Sequence, residues 1–422
     1  MVIEMKVNRD YYLNQLIAGM GNRLIKIVTG VRRCGKSFLL FQLFHEYLNS
    51  KGIDDDHIIE VALDDRKMIE LRNPDKMLQH IDSHIKDKQT YYILLDEVQM
   101  MEDFADVLNS LLHIRNADVY VTGSNSRFLS KDVVTEFRGR GDEIHLQPLS
   151  FAEYYSATGG DKFTRWKEYY TYGGLPQILT LEGEQKKIDY LRGLCETVYI
   201  ADVLERHKVK NKTEFEELGR IMASIIGSPC NPTKLSNTFK SVKGVSISHK
   251  TLGNYLEYME DAFLIKRAIR YNVKGKKYIN TLSKYYFSDM GIRNALLDFR
   301  QLEETHIMEN VIYNELLGRG FRVDVGLVEL KTTDAEGRTI RKQLEVDFIA
   351  NRGGARYYIQ SAFAIPNEEK KAQEMASFRR IDDSFQKVII VKDDIMPYRD
   401  DNGYMIIGLM DFLLSQNSLE RV

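Results

Sequence analysis

The sequence predicts an α/β protein whose first part is built on a parallel sheet. Three observations support this prediction. Short, continuously apolar runs recur along the first 150 residues, helical stretches separate them, and a glycine-containing loop joins the first run to a helix. Strands that are apolar throughout are typical of sheets covered on both faces, as parallel sheets are. Further along the chain the pattern changes twice, which predicts additional domains.

Composition limits the class of protein. A length of 422 residues predicts several domains, at roughly 100–200 residues each. Hydrophobic residues make up 43% and the net charge is −2, which excludes disordered and fibrous proteins and a uniformly basic nucleic-acid coat. The three cysteines are too widely spaced for a disulfide framework or a metal site. With a charged N-terminus and no run of about 18 apolar residues, we expect a cytoplasmic protein without membrane contacts.

The first domain is expected to contain four strands and three helices. The strands are predicted at 24–29, 58–63, 91–95 and 119–122, and the helices at 37–48, 74–86 and 103–114. After residue 150 the chain is aromatic and helical up to about residue 206. Three helices and a hairpin then follow, with the hairpin turn at 274–277, and this order is typical of a winged helix. From about residue 300 we predict a helix at 305–318, strands at 321–330, 343–350 and 356–364, a helix at 367–380 and a last strand at 387–391.

Residues 30–37, which we call the glycine loop, match the phosphate-binding pattern G-x-x-x-x-G-K-[ST]. The loop lies between an apolar strand and a helix, so its backbone N–H groups would converge on phosphate at a helix N-terminus. Lys36 would neutralise the β- and γ-phosphates, and Ser37 would offer a hydroxyl to Mg²⁺. The residues predicted to bind ATP here are Gly30, Val31, Arg32, Arg33, Cys34, Gly35, Lys36, Ser37 and Phe38.

Two adjacent carboxylates end the strand at 91–95. Ligands bind at the carboxyl ends of strands in open α/β sheets, so Asp96 and Glu97 are expected beside the glycine loop. Asp96 would orient Mg²⁺ together with Ser37, and Glu97 would be the general base for the attacking water. Lys36 and Glu97 are therefore predicted to be catalytic.

Polar residues follow the next predicted strand, at 119–122. Ser124 and Asn125 would sense the γ-phosphate or its water, although the residues that form turns are the same, and both interpretations stay open. Either Arg138 or Arg140 would neutralise charge during phosphoryl transfer, in the same chain or from a neighbouring one, and Arg140 is our catalytic candidate.

The predicted winged helix is basic, in contrast to the neutral chain. Between Cys230 and Met290 there are eleven basic and four acidic residues. This local charge favours contact with double-stranded DNA, while a role as a packing module remains an equal alternative. The predicted DNA contacts lie at the start of the third helix and in the hairpin turn: His249, Lys250, Asn254, Lys274, Lys276 and Lys277.

The motifs together resemble a group of bacterial and archaeal P-loop ATP-binding proteins. These proteins are AAA-like and carry a C-terminal domain of unknown function with a restriction-endonuclease-like core. The resemblance covers nearly the whole chain, and its motifs are GVRRCGKS (30–37), LLDEVQ (94–99), TGSNS (122–126), FRGR (137–140), PLSFAEY (148–154), GGLP (173–176), EN (309–310) and EVDFI (345–349). It implies an ATPase core at 1–150, a helical lid at 151–208, the winged helix at 209–298 and the nuclease-like domain at 299–422.

Nucleases of that fold need a helix carboxylate, a strand Asp, and a Glu or Gln two residues before a Lys. Glu309, Asp347 and Gln360 fill the first three roles, but Ala362 stands where the lysine belongs. We therefore expect a degenerate, inactive nuclease site.

The sequence favours an Mg-dependent ATPase that acts as a conformational switch, coupled to DNA. Two alternatives remain. One is a weakly hydrolysing regulator or scaffold that acts through protein partners or self-association, and the other is an ATP-regulated nuclease, against which Ala362 argues.

Overall fold

A computed structural model describes residues 7–123, 139–333, 339–364 and 368–420. The chain divides into two compact units. The first unit comprises residues up to Leu149, together with Leu175–Thr180 and Asp261–Phe263. The second unit comprises Ser150–Gly174, Leu181–Glu260 and the chain from Leu264 onward. The chain therefore passes from the second unit into the first within the GGLP motif.

The first unit is built on a five-stranded sheet in the order β2-β3-β4-β1-β5, and every pairing is parallel. The predicted parallel sheet is confirmed. Its strands are β1 (Ile25–Thr29), β2 (Ile58–Ala62), β3 (Tyr91–Asp96), β4 (Ala117–Thr122) and β5 (Gly141–His145). Strand β5 was not predicted, because this edge strand reads GDEIH and carries a single apolar residue.

Both faces of this sheet are covered, since every residue of β1 and β3 is buried. The core is mainly apolar, although Lys26 of β1 is also buried and is paired with Asp118 of β4. Ile93, Leu95 and Val121 in the two central strands are completely buried. The helices are α1 (Asp10–Ala18), α2 (Lys36–Phe38, continuing through Leu39–Phe44 and His45–Ser50), α3 (Pro74–His84) and α4 (Phe104–Leu111). Short 3-10 turns lie at Asp55–His57, Arg66–Arg72, Val98–Met100 and Pro176–Thr180.

The second unit contains an eight-stranded mixed sheet in the order β12-β13-β11-β10-β9-β8-β6-β7. Its strands are β6 (Ile265–Asn272), β7 (Lys277–Phe287), β8 (Arg322–Thr333), β9 (Thr339–Arg352), β10 (Ala355–Ala362), β11 (Gln386–Val391), β12 (Tyr398–Arg399) and β13 (Met405–Gly408). The predicted hairpin is β6–β7. Strand β6 also pairs in parallel with β8, with Arg270 opposite Val325, so the hairpin is part of the larger sheet.

Ten helices of the second unit lie within the described residues. They are α5 (Phe151–Thr158), α6 (Lys162–Tyr172), α7 (Glu184–Leu194, continuing through Cys195–Ile200 and Ala201–Arg206), α8 (Lys212–Ser224), α9 (Pro232–Thr238, continuing through Phe239–Lys243), α10 (His249–Asp261), α11 (Met290–Leu296), α12 (Glu304–Gly318), α13 (Glu368–Glu374) and α14 (Leu409–Leu414). Ser248 caps α10 as predicted, since its Oγ accepts the Thr251 N–H at 3.0 Å. None of the helices in the described part of the chain has the length and apolar character that a membrane span requires.

The end of the chain differs from the prediction in two ways. Strand 387–391 is not the last, because β12, β13 and α14 follow it. The run from Met405 to Leu414 passes from a four-residue strand directly into a helix, and such short apolar runs do not reveal their period. The helix predicted at 367–380 is shorter, ending at Glu374, and a 3-10 turn occupies Phe378–Arg380.

The two glycines of the GGLP motif are fixed by a buried carboxylate. Gly174 N–H donates to Asp289 Oδ2 at 2.6 Å, and Asp289 Oδ1 accepts from Ile292 N–H at 3.0 Å at the start of α11. Gly173 has φ +79°, and a Cβ there would lie 2.2 Å from Asp289 Oδ1. Only glycine therefore satisfies both the backbone conformation and the close approach of the carboxylate.

Substituting Gly173 tests this packing. Gly183 is a matched control, since it has φ +84° and a Cβ added there would have no neighbour within 4 Å. Gly183→Ala should cost about 1–3 kcal/mol from backbone strain alone. Gly173→Ala should cost about 1–3 kcal/mol more, because the methyl group meets the carboxylate. Urea denaturation measures both, and equal losses of stability would show that the Asp289 contact is unimportant.

Candidate nucleotide-binding site

The glycine loop joins the carboxyl end of β1 to the start of α2. Gly30 has φ +144°, and a Cβ there would lie 2.3 Å from the carbonyl oxygen of Leu146. Gly35 has φ +100° and is the N-cap of α2. Both conformations require glycine, so the two glycines of the pattern are explained by the geometry of the loop.

The Lys36 side chain lies inside the loop. Lys36 is only 4% exposed, and its Nζ donates to the carbonyl oxygens of Gly30 at 3.2 Å and Val31 at 3.3 Å. The same Nζ lies 4.0 Å from Glu97 Oε1. A cation is thus held where the loop would surround a phosphate group.

Ser37 and Asp96 meet as the sequence predicts. Ser37 Oγ donates to Asp96 Oδ2 at 2.7 Å, and Asp96 is 2% exposed. Burial raises the pKa of Asp96, while hydrogen bonds from Thr122 and Ser37 act in the opposite direction. A hydroxyl and a carboxylate in contact are hard oxygen donors of the kind that Mg²⁺ binds through one or two protein groups, so the residues present fit this ion.

Thr122 also belongs to the site, although it was not among the predicted residues. Its hydroxyl donates to Asp96 Oδ1 and accepts the Glu97 N–H at 3.0 Å. The Thr122 side chain, at the end of β4, is thus hydrogen-bonded to both Asp96, the last residue of β3, and Glu97, which follows it. The signal was available, because Thr122 is the polar residue that ends the strand next to β3.

Glu97 adopts an uncommon backbone conformation for a residue with a side chain. Its φ is +51°, in the left-handed region. The side chain is partly buried, accepts from Gln99 Nε2 and lies near Lys36 Nζ. Strained backbone of this kind is frequently found at functional sites, where the surrounding structure maintains it.

The other predicted loop residues are placed as follows. Val31 and Cys34 are buried, Arg32 is partly buried, and Arg33, with φ +66°, and Phe38 are exposed. Ser124, Asn125 and Arg138 lie outside the described residues.

Arg140, which is predicted to be catalytic in its own or a neighbouring chain, lies far from the glycine loop of its own chain. Its carbonyl oxygen accepts the Ile25 N–H at 2.9 Å, and Gly141 pairs with Ile25 at the amino end of β1. The glycine loop follows the opposite end of that strand, five residues or about 16 Å away. Because β5 runs parallel to β1, the start of β5 cannot lie beside the loop.

Comparisons with known proteins find a known domain in this part of the chain. A family model described as an AAA domain matches residues 22–155, which include the sheet and the site, and a model for a domain of unknown function matches residues 163–303. An uncharacterized protein of Haemophilus influenzae is 32% identical over 414 residues, covering 97% of this chain and 98% of that protein. The chain thus carries an AAA domain and belongs to the same family as the Haemophilus influenzae protein. An uncharacterized protein of Methanocaldococcus jannaschii is 29% identical over 392 residues, covering 88% of this chain and 82% of that protein.

Two solved structures show weaker similarity. The Walker-type ATPase of Pyrococcus abyssi has a TM-score of 0.48 at 16% identity, covering 69% of this chain and 96% of that chain. AMPPCP-bound DnaA from Aquifex aeolicus has a TM-score of 0.31 at 16% identity, covering 59% of this chain and 85% of that chain. Membership of this family therefore rests on the sequence matches.

In this AAA-like protein the predicted DNA contacts are exposed. His249, Lys250 and Asn254 lie in the first two turns of α10, and Lys274, Lys276 and Lys277 lie in or beside the β6–β7 turn. Not all of the basic residues in this segment are exposed and unpaired, however. Arg270 and Lys284 are buried, and Arg267 lies 3.6 Å from Glu260.

Glu309 and Asp347 of the expected nuclease-like site lie around Lys284, together with Glu345. The Lys284 Nζ lies 2.9 Å from Glu309 Oε1, 2.8 Å from Glu345 Oε1 and 3.8 Å from Asp347 Oδ1. Gln360 Oε1 accepts the Asp347 N–H at 3.4 Å. Ala362 is buried in β10 and carries no charge. The ammonium group of this cluster is that of Lys284, which lies in β7. Within the described ranges, no group of three His, Cys, Asp or Glu residues is arranged to hold a metal ion.

The carboxylates of this cluster depend on the Lys284 charge. The pKa of Asp347 is raised to about 8, chiefly by burial and next by the neighbouring Glu309, while the charge of Lys284 acts in the opposite direction. Tyr286 also donates its hydroxyl to Glu309 Oε1, at 2.7 Å. Without the ammonium group, three acidic groups would share a site that excludes most water.

Lys284→Met should therefore destabilise the protein by about 3–5 kcal/mol at pH 8. The loss should be smaller at pH 5. Carboxylates with a raised pKa bind protons more tightly in the folded than in the unfolded state, so the free energy of unfolding falls as pH rises. Urea denaturation at both pH values measures this. Lys277→Met, at the exposed start of the same strand, should change stability by less than about 0.5 kcal/mol. A pH-independent loss in Lys284→Met would contradict the electrostatic explanation.

Proposed function

We propose that this protein is an Mg-dependent ATPase in which ATP binding and hydrolysis act as a conformational switch. The observation that carries the proposal is the 2.7 Å contact between Ser37 at the start of α2 and Asp96 at the end of β3. It brings the glycine loop and the carboxylate strand into one site, with Lys36 and Glu97 beside it. This combination of residues is the one that phosphoryl transfer requires.

Each residue has a distinct role in this proposal. The loop amides and Lys36 bind the β- and γ-phosphates, and Ser37 and Asp96 would hold Mg²⁺, which supplies charge neutralisation at the phosphates when bound. Glu97 accepts a proton from the attacking water. Thr122 fixes Asp96 and Glu97 relative to each other. Ser124 and Asn125 remain candidates for sensing the γ-phosphate, and a role for Arg140 is restricted to a neighbouring copy of the chain.

Two substitutions separate binding from hydrolysis. Lys36→Ala should weaken ATP binding at least about tenfold, because it removes a charge-assisted contact with phosphate. Glu97→Gln should retain binding and lower turnover by about 10²–10⁴-fold, the usual contribution of a general base. Glu102→Gln makes the same chemical change on an exposed side chain and is the control. Phosphate release and calorimetric titration with Mg-ATP provide the two readouts.

The alternative of a weakly hydrolysing regulator or scaffold predicts a different result. Wild-type protein would then bind Mg-ATP and Lys36→Ala would not, but turnover would be near background and unchanged in Glu97→Gln. Normal turnover in both variants would contradict the catalytic assignment altogether.

We further propose that residues 212–287 form a winged helix that binds double-stranded DNA. The order of α8, α9, α10 and the β6–β7 hairpin supports this fold, and an isolated antiparallel bridge between Cys230 and Ser283 joins the segment before α9 to β7. Lys250 and Asn254 are exposed near the start of α10, where a recognition helix contacts bases and phosphates. The β6–β7 turn offers three further exposed lysines.

Neutralising those lysines tests the DNA proposal. A triple Lys→Gln variant at 274, 276 and 277 should weaken duplex binding and reduce the dependence of log Kd on log salt by about 0.9 for each phosphate that is no longer neutralised. The control is a triple Lys→Gln variant at Lys208, Lys210 and Lys212, which are also exposed and carry the same charge. Fluorescence anisotropy at several salt concentrations measures both. Equal effects of the two triple variants would indicate general electrostatics rather than a wing.

A further inference from the structure

A buried arginine lies behind the glycine loop. Arg9, directly before α1, is only 3% exposed. Its Nη1 donates to the carbonyl oxygen of Cys34 at 3.3 Å, and its Nη2 donates to the carbonyl oxygen of Gln147 at 2.7 Å. The guanidinium also lies over the Tyr12 ring, 4.8 Å from its centroid. Arg9 therefore connects the loop to the segment that follows β5.

The contact with Cys34 fixes the orientation of one peptide unit in the loop. In a trans peptide the C=O and the following N–H point in opposite directions. With the Cys34 carbonyl directed toward Arg9, the Gly35 N–H points away from Arg9. Gly35 is the N-cap of α2, at the end of the helix where backbone amides bind phosphate.

Two other contacts attach the loop to the same segment. Gly30 packs so closely on Leu146 that a Cβ would lie 2.3 Å from the Leu146 carbonyl oxygen. Cys34 Sγ donates to that same carbonyl oxygen at 3.5 Å. Arg9 supplies the third link, and it is the one that acts directly on the peptide before Gly35.

The positive charge of Arg9 also reaches the loop. Burial raises the pKa of the Cys34 thiol, while the charges of Lys36 and Arg9 both act to lower it. The charges of both cations thus act on the Cys34 side chain. A phosphate group bound by the loop would experience the charge of Arg9 in addition to that of Lys36.

We infer that Arg9 is a positioning residue for the nucleotide phosphates. It holds the Cys34–Gly35 peptide with its N–H directed at the phosphate and adds a positive charge behind the loop. This inference rests on the proposed nucleotide binding at the glycine loop.

The test compares Arg9→Met, Arg9→Lys and the control Tyr12→Phe. Tyr12→Phe keeps the ring beneath Arg9 but loses the hydroxyl that accepts the Gln147 N–H at 3.3 Å. Displacement of a fluorescent ATP analogue by ATP, ADP and AMP gives the affinities, and urea denaturation gives the stabilities. Arg9→Met should weaken ATP binding about tenfold or more, which is the scale of one charged hydrogen bond. The loss of affinity should be largest for ATP, smaller for ADP and smallest for AMP. Arg9→Lys keeps the charge but cannot contact both carbonyl oxygens, so its affinity for ATP should lie between those of wild type and Arg9→Met.

Three results would overturn the inference. The first is ATP affinity equal to wild type in Arg9→Met. The second is an equal loss of affinity for ATP and AMP, which would indicate a purely structural role. The third is wild-type protein that does not bind ATP, which would overturn the proposed function as well. The first two leave the proposed function intact, because wild type would still bind ATP and Lys36→Ala would not. If Arg9→Met does not fold, Arg9→Lys is judged by the same comparison.

Discussion

The candidate site is organised by the burial of one carboxylate, that of Asp96. A buried carboxylate needs hydrogen bonds that replace its lost hydration. Each buried group left without a partner lowers the stability of the fold by about 1–3 kcal/mol, and a charged group lowers it by more. Ser37 and Thr122 supply these hydrogen bonds to Asp96, and they come from the helix after β1 and from the end of β4. Both lie near Asp96 because the strand order is β3-β4-β1. The same order brings Glu97 within reach of Lys36, so the arrangement of the proposed catalytic groups follows from the sheet.

The second unit is governed by a similar constraint, with the signs of charge reversed. Lys284 is the buried ion, and the carboxylates around it come from α12 and β9. Next to Glu309, Asn310 binds both backbone groups of Phe287, each at 2.8 Å. The EN motif therefore attaches α12 to β7 over several residues. Glu309 and Asn310, which belong to the motifs of the family resemblance, therefore join α12 to one strand of the β6–β7 hairpin.

Features that depend on residues close together in the sequence could be predicted from it. The glycine loop, the central strands and the cap at Ser248 are set by local pattern, and the structure has each of them. Features that depend on distant partners were missed. Arg9 reads as an ordinary charged residue near the N-terminus until Gln147 is placed beside it. Strand β5 has almost no apolar residues and exists because β1 offers it a partner.

The basic residues of the β6–β7 hairpin differ in their exposure, which the sequence alone does not reveal. The alternation of strand residues puts Lys284 and Tyr286 on one face of β7 and Tyr285 on the other, but it does not say which face α12 covers. Both Lys284 and Tyr286 contact Glu309, so that face is internal and the lysine contributes nothing to an external field. Lys274, Lys276 and Lys277 are exposed beside the hairpin turn. Any electrostatic attraction of this unit for DNA must therefore come from residues at the turn and at the start of α10, rather than from the basic composition of the whole segment.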